Sequence, residues 1–181
     1  MNGTSVPRRQ IVTDRLVLRP TRLADAERAF TIQSDWEVAR MLRMAVFPPE
    51  REDMRAWFSD HAREWAEGSA HRFAVESGGL MVGVVDIDEI SDRQGELGYW
   101  FDRAAWGRGY AFEAARAAVD FAFRTIGLTR IRSGHAADNA ASGKILAKLG
   151  FRSIGTVLVM SHSRGEEIQQ RSLELPAPTR F

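Results

Sequence analysis

Two stretches of the chain decide its fold: ELGYWFDRAAWGRGYAFEAARAAVDFAF at residues 96–123 and IRSGHAADNAASGKILAKLGFRSIG at residues 131–155. In the first, a strand-like run over residues 97–101 leads into the turn Trp-Gly-Arg-Gly-Tyr-Ala at 106–111, and an alanine-rich helix follows directly. Backbone N–H groups converge where such a turn meets a helix, and the helix dipole favours negative charge there. The pattern therefore predicts a site for a phosphate or pyrophosphate group.

Two common phosphate-binding motifs do not fit this turn. A Walker loop requires Gly, four residues and then Gly-Lys-Ser/Thr, and the Ser-Gly-Lys at 142–144 has these residues in the wrong order. The dinucleotide fingerprint G-x-G-x-x-G is met by Gly107 and Gly109, but Phe112 stands at the third glycine position. The acidic strand end expected about 20 residues further on is also missing. The sequence therefore disfavours a nucleotide-binding protein of either kind.

Composition narrows the class of protein further. The chain has 181 residues, enough for one domain, and 44% of them are hydrophobic, as in an ordinary globular core. The net charge of +1 gives no reason to expect nucleic acid or a membrane as partner. The sequence has no cysteine, so disulfides and thiolate metal ligands are excluded, and its four histidines do not form a metal motif. We expect a cytoplasmic protein without signal peptide, membrane span or metal.

Turn residues and hydrophobic periodicity predict an α/β fold in the order β-αα-ββ-β-α-β-α-β-β, a mixed sheet with helices on both faces. The predicted strands cover residues 10–18, 72–76, 80–87, 96–101, 129–135, 151–160 and 169–175, and the predicted helices cover 25–33, about 50–67, 111–125 and 139–149. Gly68 and Gly150 are expected to end helices, and Gly78-Gly79 to turn a hairpin.

The limits of the domain follow from the same pattern. We expect residues 1–9 to be flexible, residues 10–176 to form a single domain and residues 177–181 to be a tail.

Charged residues spaced three and four apart are expected to form one solvated stripe along the alanine-rich helix: Glu113, Arg116, Asp120 and Arg124.

The glycine-rich turn resembles the acyl-CoA loop of the GCN5-related N-acetyltransferases (GNAT), Gln/Arg-x-x-Gly-x-Gly/Ala. Gly109 and Ala111 stand at the small positions, while Trp106 replaces the usual Gln or Arg. Further motifs resemble the branch of that family that contains the ribosomal-protein alanine acetyltransferases RimJ and RimL. They follow in the family's order from residue 13 to about residue 155, as Thr-Asp-Arg-Leu-Val-Leu-Arg-Pro at 13–20, Glu-Leu-Gly-Tyr-Trp at 96–100, Asn-Ala-Ala-Ser at 139–142 and Lys-Leu-Gly-Phe at 148–151.

This resemblance implies a fold and an activity. The fold would be a single, mostly antiparallel sheet of six to seven strands. The activity would be acetyl transfer from acetyl-CoA to a primary amine by direct attack, with CoA as product. A protein N-terminal α-amine is the favoured acceptor, a small-molecule amine is the alternative, and a non-catalytic acyl-CoA-binding module remains a further hypothesis. The protein would be a monomer or a homodimer, with neither nucleic acid nor a membrane as partner.

The resemblance also assigns cofactor contacts. The turn would hold the phosphates through its backbone amides, the strand would face the pantetheine arm, and Asn139 would hydrogen-bond to that arm, although Asn139 fits a plain N-cap equally well. Arg103, Arg108 and Lys144 could meet phosphate or simply be solvated. The expected cofactor-binding residues are Leu97, Gly98, Tyr99, Trp100, Phe101, Trp106, Gly107, Arg108, Gly109, Tyr110, Ala111, Asn139, Ser142 and Lys144.

Two residues are predicted to be catalytic. The resemblance puts Ser142 near the sulfur, as general acid for the leaving thiolate. Glu96 is the first candidate base, because it begins the central strand, although a charged strand end is an equal interpretation. An α-amine with a pKa near 8 is roughly one-tenth neutral at pH 7, so a weak base, His135 or water alone would also suffice.

Three other polar residues near the strand are assigned by alternation of side chains. Tyr99 points away from Glu96 and is expected in the core. Asp86 and Asp88 share one face of the preceding strand, where they could bind a cationic acceptor, but a solvated strand edge is the favoured interpretation.

Overall fold

The structure is a computed structural model that describes residues 6–178. Its strands are β1 (Ile11–Val12), β2 (Val17–Pro20), β3 (His71–Ser77), β4 (Leu80–Ser91), β5 (Gln94–Phe101), β6 (Arg130–Ala136), β7 (Arg152–Ser161) and β8 (Glu166–Pro176). Its helices are α1 (Ala26–Gln33), α2 (Trp36–Ala39), α3 (Arg51–Glu67), α4 (Tyr110–Phe121) and α5 (Ala140–Leu149), and a π-helical turn (Ala122–Ile126) extends α4.

Within the described residues, the strands form one eight-stranded sheet in the order β1-β2-β3-β4-β5-β6-β8-β7. The predicted mixed, mostly antiparallel sheet is confirmed, because β5 and β6 are parallel and the other neighbours are antiparallel. The strand count of six to seven is wrong by one, since the strand expected over residues 10–18 is two strands. A turn separates them, in which the Thr13 N–H donates to the Leu16 carbonyl at 2.9 Å.

The predicted helix ends and hairpin are confirmed. Gly68 and Gly150 follow α3 and α5 in the left-handed region, with φ of 75° and 94°, where a residue without Cβ is favoured. Gly78 and Gly79 form the turn between β3 and β4. The short helix α2 was not predicted.

The sheet buries both faces, as predicted. Phe73, Val75, Val85 and Ile87 belong to the core cluster that includes the buried alanines of α4. The alternate residues of β3 and β4, such as Ala74 and Val84, pack with α1 and the first half of α3. Cross-strand pairing carries this division onto β5, so Trp100 lies on the α1/α3 face opposite Val84, and Tyr99 lies on the α4 face opposite Val85.

The predicted solvated stripe on α4 is wrong for its first residue. The Glu113 side chain is only 13% exposed. Its Oε1 accepts hydrogen bonds from Thr13 Oγ1 at 2.6 Å and from the Arg15 N–H at 2.9 Å, and Arg15 Nε donates to its Oε2 at 2.7 Å. Helical spacing could not reveal this, because the partners lie in the β1–β2 turn. Glu113 therefore fixes that turn to the start of α4.

Two histidines lie deep in the protein. His61 on α3 is 2% exposed, and its Nδ1 lies 2.9 Å from Thr21 Oγ1. His71 on β3 is 1% exposed and contacts the rings of Trp65 and Phe121 edge-on. His61 Nε2 and His71 Nδ1 have no hydrogen-bond partner among residues 6–178.

The described part of the predicted flexible N-terminus contacts the domain. Trp65 Nε1 donates to the Val6 carbonyl at 2.7 Å, and Arg8 Nη2 donates to the Thr21 carbonyl at 2.8 Å. Residues 1–5 of that segment and residues 179–181 of the predicted tail lie outside the described residues. No helix in the described range is long and apolar enough to cross a membrane.

Candidate active site

The parallel strands β5 and β6 pair only at their beginnings. The last paired residues are Glu96 and Arg132, although β5 continues to Phe101 and β6 to Ala136. Side chains occupy part of the opened edge, since Ser133 Oγ donates to the Leu97 carbonyl at 2.9 Å and Trp106 Nε1 donates to the Phe101 carbonyl at 3.0 Å. Because alternate residues of a strand point their backbone groups to the same edge, the N–H and C=O of Tyr99 face the gap between these two bonds.

The splay between the strands is accompanied by an irregularity in the neighbouring strand. The pairing of β4 with β5 shifts register between Asp88 and Ser91, and Glu89 within the shift has a φ of 49°. This is a β-bulge on β4, beside the point where β5 leaves β6.

A cavity of about 1210 Å³ opens at this gap. All but one of the predicted site residues line it, from Glu96 to Phe101, from Trp106 to Ala111, and at Asn139, Ser142 and Lys144. The exception is Arg108, which is not among the lining residues. Its side chain is exposed and its carbonyl accepts a hydrogen bond from Arg15 Nη1 at 2.7 Å. The β1–β2 turn thus holds the middle of the loop from outside.

One end of the cavity is the turn before α4. Gly107 and Gly109 have φ values of 74° and 78°, and Gly109 is the N-cap of α4. The Glu113 N–H donates to the Gly109 carbonyl at 3.1 Å, while the preceding amides of the first turn have no acceptor within the helix. Lys144 is exposed on the cavity wall, whereas Arg103 is paired with Asp35 at 3.1 Å and does not line the cavity.

At the centre of the cavity the hydroxyls of Tyr99 and Ser142 lie 2.8 Å apart. Tyr99 packs partly against the core, as expected, but its hydroxyl reaches α5. Burial raises the pKa of Tyr99 to about 12, although the Ser142 hydrogen bond opposes this, so the Tyr99 hydroxyl is neutral at pH 7. Asn139 Oδ1 accepts the Ser142 N–H at 3.1 Å, so Asn139 is the N-cap of α5. Strand alternation gave no signal for the Tyr99–Ser142 contact.

Glu96 lies on the opposite face of β5, at the point where the strands separate. It is half-buried and stands opposite Asp88 in the register of β4 and β5. Burial raises its pKa, and the charges of Glu89 and Asp88 raise it further, while Arg43 and Arg132 act in the opposite direction. A carboxyl with a raised pKa is a better proton acceptor near neutral pH than an ordinary glutamate.

The alternative base His135 also lines the cavity. Its Nδ1 lies 2.8 Å from the Ala136 carbonyl, and the ring lies against α5. A Cβ on Gly143 would be 3.0 Å from both Cε1 and Nε2 of His135. The histidine ring therefore explains why position 143 is a glycine.

Arg72 organises the carboxylates behind Glu96. Its Nη1 donates to Asp86 Oδ2 at 2.9 Å and to Asp88 Oδ2 at 3.0 Å, and its Nε donates to Glu64 Oε2 at 3.0 Å. Asp86 is 7% exposed, so the solvated edge expected from the sequence is wrong there. The reason is that Arg72 in β3 binds the carboxylate and Gly98 in β5 leaves room for it. Burial first, and then the charge of Asp88, raise the pKa of Asp86 to about 7.

The far end of the cavity is mostly apolar. Its wall is formed by Met41, Leu42, Met44, Val46, Met54, Trp57 and Trp100. The loop between β7 and β8 fixes this wall, since Arg164 Nε donates to the Arg40 carbonyl at 2.7 Å and the His162 N–H donates to the Arg43 carbonyl at 2.9 Å. Within residues 6–178, no group of three His, Cys, Asp or Glu side chains is placed to hold a metal ion.

Comparison with known proteins identifies the family. The model of the acetyltransferase (GNAT) domain matches residues 15–152. The uncharacterized N-acetyltransferase p20 of Bacillus licheniformis is 30% identical over 87% of this chain and 90% of its own. The [ribosomal protein uS5]-alanine N-acetyltransferase of Escherichia coli is 27% identical over 84% of this chain and 82% of its own.

A solved structure supports the same fold. RimL, a ribosomal L7/L12 alpha-N-protein acetyltransferase in complex with coenzyme A, superimposes with a TM-score of 0.83 over 92% of this chain and 96% of its own, at 17% identity. The fold predicted from the sequence is thereby confirmed. Because the domain model covers more than half of the chain and a relative is 30% identical over most of it, the chain belongs to the GNAT family of acetyltransferases.

Proposed function

We propose that the protein transfers the acetyl group of acetyl-CoA to a primary amine, and that the acceptor is a protein N-terminal α-amine. The observation that carries the proposal is the gap between β5 and β6. It joins a helix start suited to phosphate, an unpaired strand edge and groups able to give and take protons in one cavity. The activity named for the Escherichia coli relative, on the alanine of ribosomal protein uS5, supports a protein N-terminus as acceptor.

The residues present fit acetyl-CoA. The first-turn amides of α4 would hold phosphate groups, because Gly107 and Gly109 leave space where a side chain would stand and Gly107 has nothing within 4 Å of that position. The Tyr99 N–H and C=O would pair with an amide-rich arm as a neighbouring strand does. Lys144 stands at the cavity wall as a cation for the phosphates.

The chemistry divides between the two faces of β5. When bound, acetyl-CoA supplies an acetyl group activated as a thioester, which the neutral amine attacks directly so that a carbon–nitrogen bond replaces the carbon–sulfur bond. Glu96 takes the proton that the nitrogen loses. Ser142 gives a proton to the leaving sulfur, and the neutral Tyr99 hydroxyl beside it orients the Ser142 hydroxyl. A backbone N–H in the gap polarises the carbonyl oxygen.

An α-amine suits this arrangement. With a pKa near 8, about one-tenth of it is neutral at pH 7, whereas a lysine amine with a pKa near 10.4 is neutral about once in two thousand. A single carboxylate with a raised pKa is a sufficient base for the first and a poor one for the second.

Release of free CoA thiol tests the proposal. Short peptides with a free α-amine, the same peptides blocked at the N-terminus but carrying lysine, and small-molecule amines would be offered with acetyl-CoA. We expect turnover with free α-amines and little with blocked peptides. If the protein binds CoA but acetylates no amine, it is a binding module, and if it prefers the small amines, the acceptor class is wrong.

A further inference from the structure

Asp86 reaches across the neighbouring strand. It stands opposite Gly98 in the register of β4 and β5, and a Cβ on Gly98 would lie 2.4 Å from Asp86 Oδ1. The carboxylate therefore occupies the space of the missing side chain, between Glu96 and Trp100 on the same face of β5. Any other residue at position 98 would push the carboxylate away.

The two oxygens of Asp86 have different surroundings. Oδ2 accepts the hydrogen bond from Arg72, whereas Oδ1 accepts none from any residue in the range 6–178. The side chain is about nine-tenths buried, with 10% of its surface exposed, yet it lines the cavity. Oδ1 is not among the fully buried atoms without a partner, so it keeps some access to the cavity, where a ligand could donate to it. Oδ1 is thus a hydrogen-bond acceptor beside Gly98 that no described residue uses, on the wall of the cavity.

The carboxylates around this oxygen outnumber the cations that pair with them. The single guanidinium of Arg72 serves Glu64, Asp86 and Asp88. Glu96 adds a further carboxylate on the same face, and Arg43 and Arg132, which act on Glu96, are both exposed. Burial is the main reason that the pKa of Asp86 is raised; the charges of Asp88 and Glu96 raise it further, and Arg72 opposes them. An ammonium group beside Oδ1 would balance part of this negative charge.

We propose that Asp86 Oδ1 receives the ammonium group of the acceptor, in a subsite that Arg72 holds in place and Gly98 makes room for. Asp86 is then the binding carboxylate, and Glu96 beside it is the base. The apolar wall of Met54, Trp57 and Trp100 next to this subsite fits an acceptor whose amine is followed by an apolar side chain. This role rests on the proposed acetyl transfer to an α-amine.

Two probes separate the charge of the amine from its shape. Alanyl-phenylalanine amide carries the ammonium, and lactyl-phenylalanine amide carries a hydroxyl in its place. Binding of each would be measured by calorimetry with CoA present, so that no transfer occurs, and turnover of the first would be measured with acetyl-CoA. The wild type should bind the ammonium probe at least 10-fold more tightly than the hydroxyl probe.

In Asp86→Asn we expect this preference to fall about 10- to 100-fold, while the affinity for CoA stays within about twofold. Gly98→Ala should lower the preference in the same direction, because its methyl group displaces a carboxylate that keeps its charge. Glu64→Gln is the matched control, since it removes a carboxylate from Arg72 at a position that does not line the cavity, and it should keep the preference.

The outcomes decide between the proposals. An unchanged preference in Asp86→Asn, or an equal loss in Glu64→Gln, would overturn the role of Asp86. If Asp86→Asn does not fold, Gly98→Ala decides in its place. A wild type that shows the preference but acetylates no amine would refute the proposed function and leave the ammonium subsite standing.

Discussion

The two buried histidines should make the stability of the fold fall in acid. Burial lowers the pKa of His71 to about 4, and burial together with the charge of Arg72 lowers that of His61 to about 3, from an ordinary 6.5. The unfolded chain therefore binds protons below pH 6.5 that the folded protein does not bind. The stabilisation is present above pH 6.5 and is lost as the pH falls toward the folded pKa values.

The magnitude follows from these values. When the pH falls from 7 to 5, each histidine lowers the free energy of unfolding by up to about 2 kcal/mol. Asp86 works in the opposite direction, because its pKa of about 7 lies above the ordinary 3.8 and its protonation favours the folded state as the pH falls. The wild type alone therefore gives only the net effect, and a variant that removes one histidine isolates its share.

His71→Phe is the variant of choice, because the ring lies among Trp65, Phe121 and other apolar groups and Phe fills a similar volume. Urea unfolding at pH 7, 6 and 5 should show that the variant loses about 2 kcal/mol less than the wild type over this range. His162→Gln, at an exposed position, controls for the loss of a histidine as such. A His71→Phe profile parallel to that of the wild type would refute the reasoning.

Three further predictions concern the cavity. Gly109→Glu should abolish CoA binding in calorimetry, because it puts a charged side chain at the helix start. Gly127→Glu controls for the backbone strain, because Gly127 has a φ of 80° and a Cβ there would have nothing within 4 Å. If Gly109→Glu bound CoA as tightly as Gly127→Glu, the loop assignment would be contradicted. Ser142→Ala should lower kcat about 100-fold or more with little change in CoA affinity, and Tyr99→Phe should lower kcat by a smaller factor. The double variant should have the same kcat as Ser142→Ala, whereas additive losses of kcat would mean that the two hydroxyls act separately. Glu96→Gln should lower the rate more at pH 7 than at pH 9, because the amine deprotonates unaided at high pH, and a constant fold-loss across that range would make Glu96 a positioning residue.

Local signals in the sequence carried most of the fold. The helix ends at Gly68 and Gly150 were readable because a left-handed residue there favours glycine. The order of the motifs carried the order of strands and helices, but it did not show which strands would be parallel. That residues 96–111 and 139–144 meet at one cavity was also predictable, because these ranges contain a strand end, a turn and two helix starts of the family's motifs.

Contacts between distant segments could not be predicted. Asp86 looked like a solvated strand residue because its burial depends on Arg72 in one neighbouring strand and Gly98 in the other. Tyr99 looked like a core residue because alternation gives the face of a side chain but not the reach of its hydroxyl across an opened sheet. The contact of Arg15 with the Arg108 carbonyl was equally invisible in the sequence, because the two residues are far apart along the chain.

The separation of β5 from β6 also bears on how long the protein survives. Because β5 and β6 pair only at their beginnings, the sheet lacks part of its hydrogen-bond ladder there. A ligand bound in the gap would supply hydrogen bonds that a neighbouring strand otherwise makes. Any ligand bound only by the folded state, at 100 times its dissociation constant, adds about 2.7 kcal/mol to stability. The interval between product departure and the next loading is then the moment of greatest exposure to proteases. Removing that ligand would therefore shorten the lifetime of the protein as well as stop catalysis.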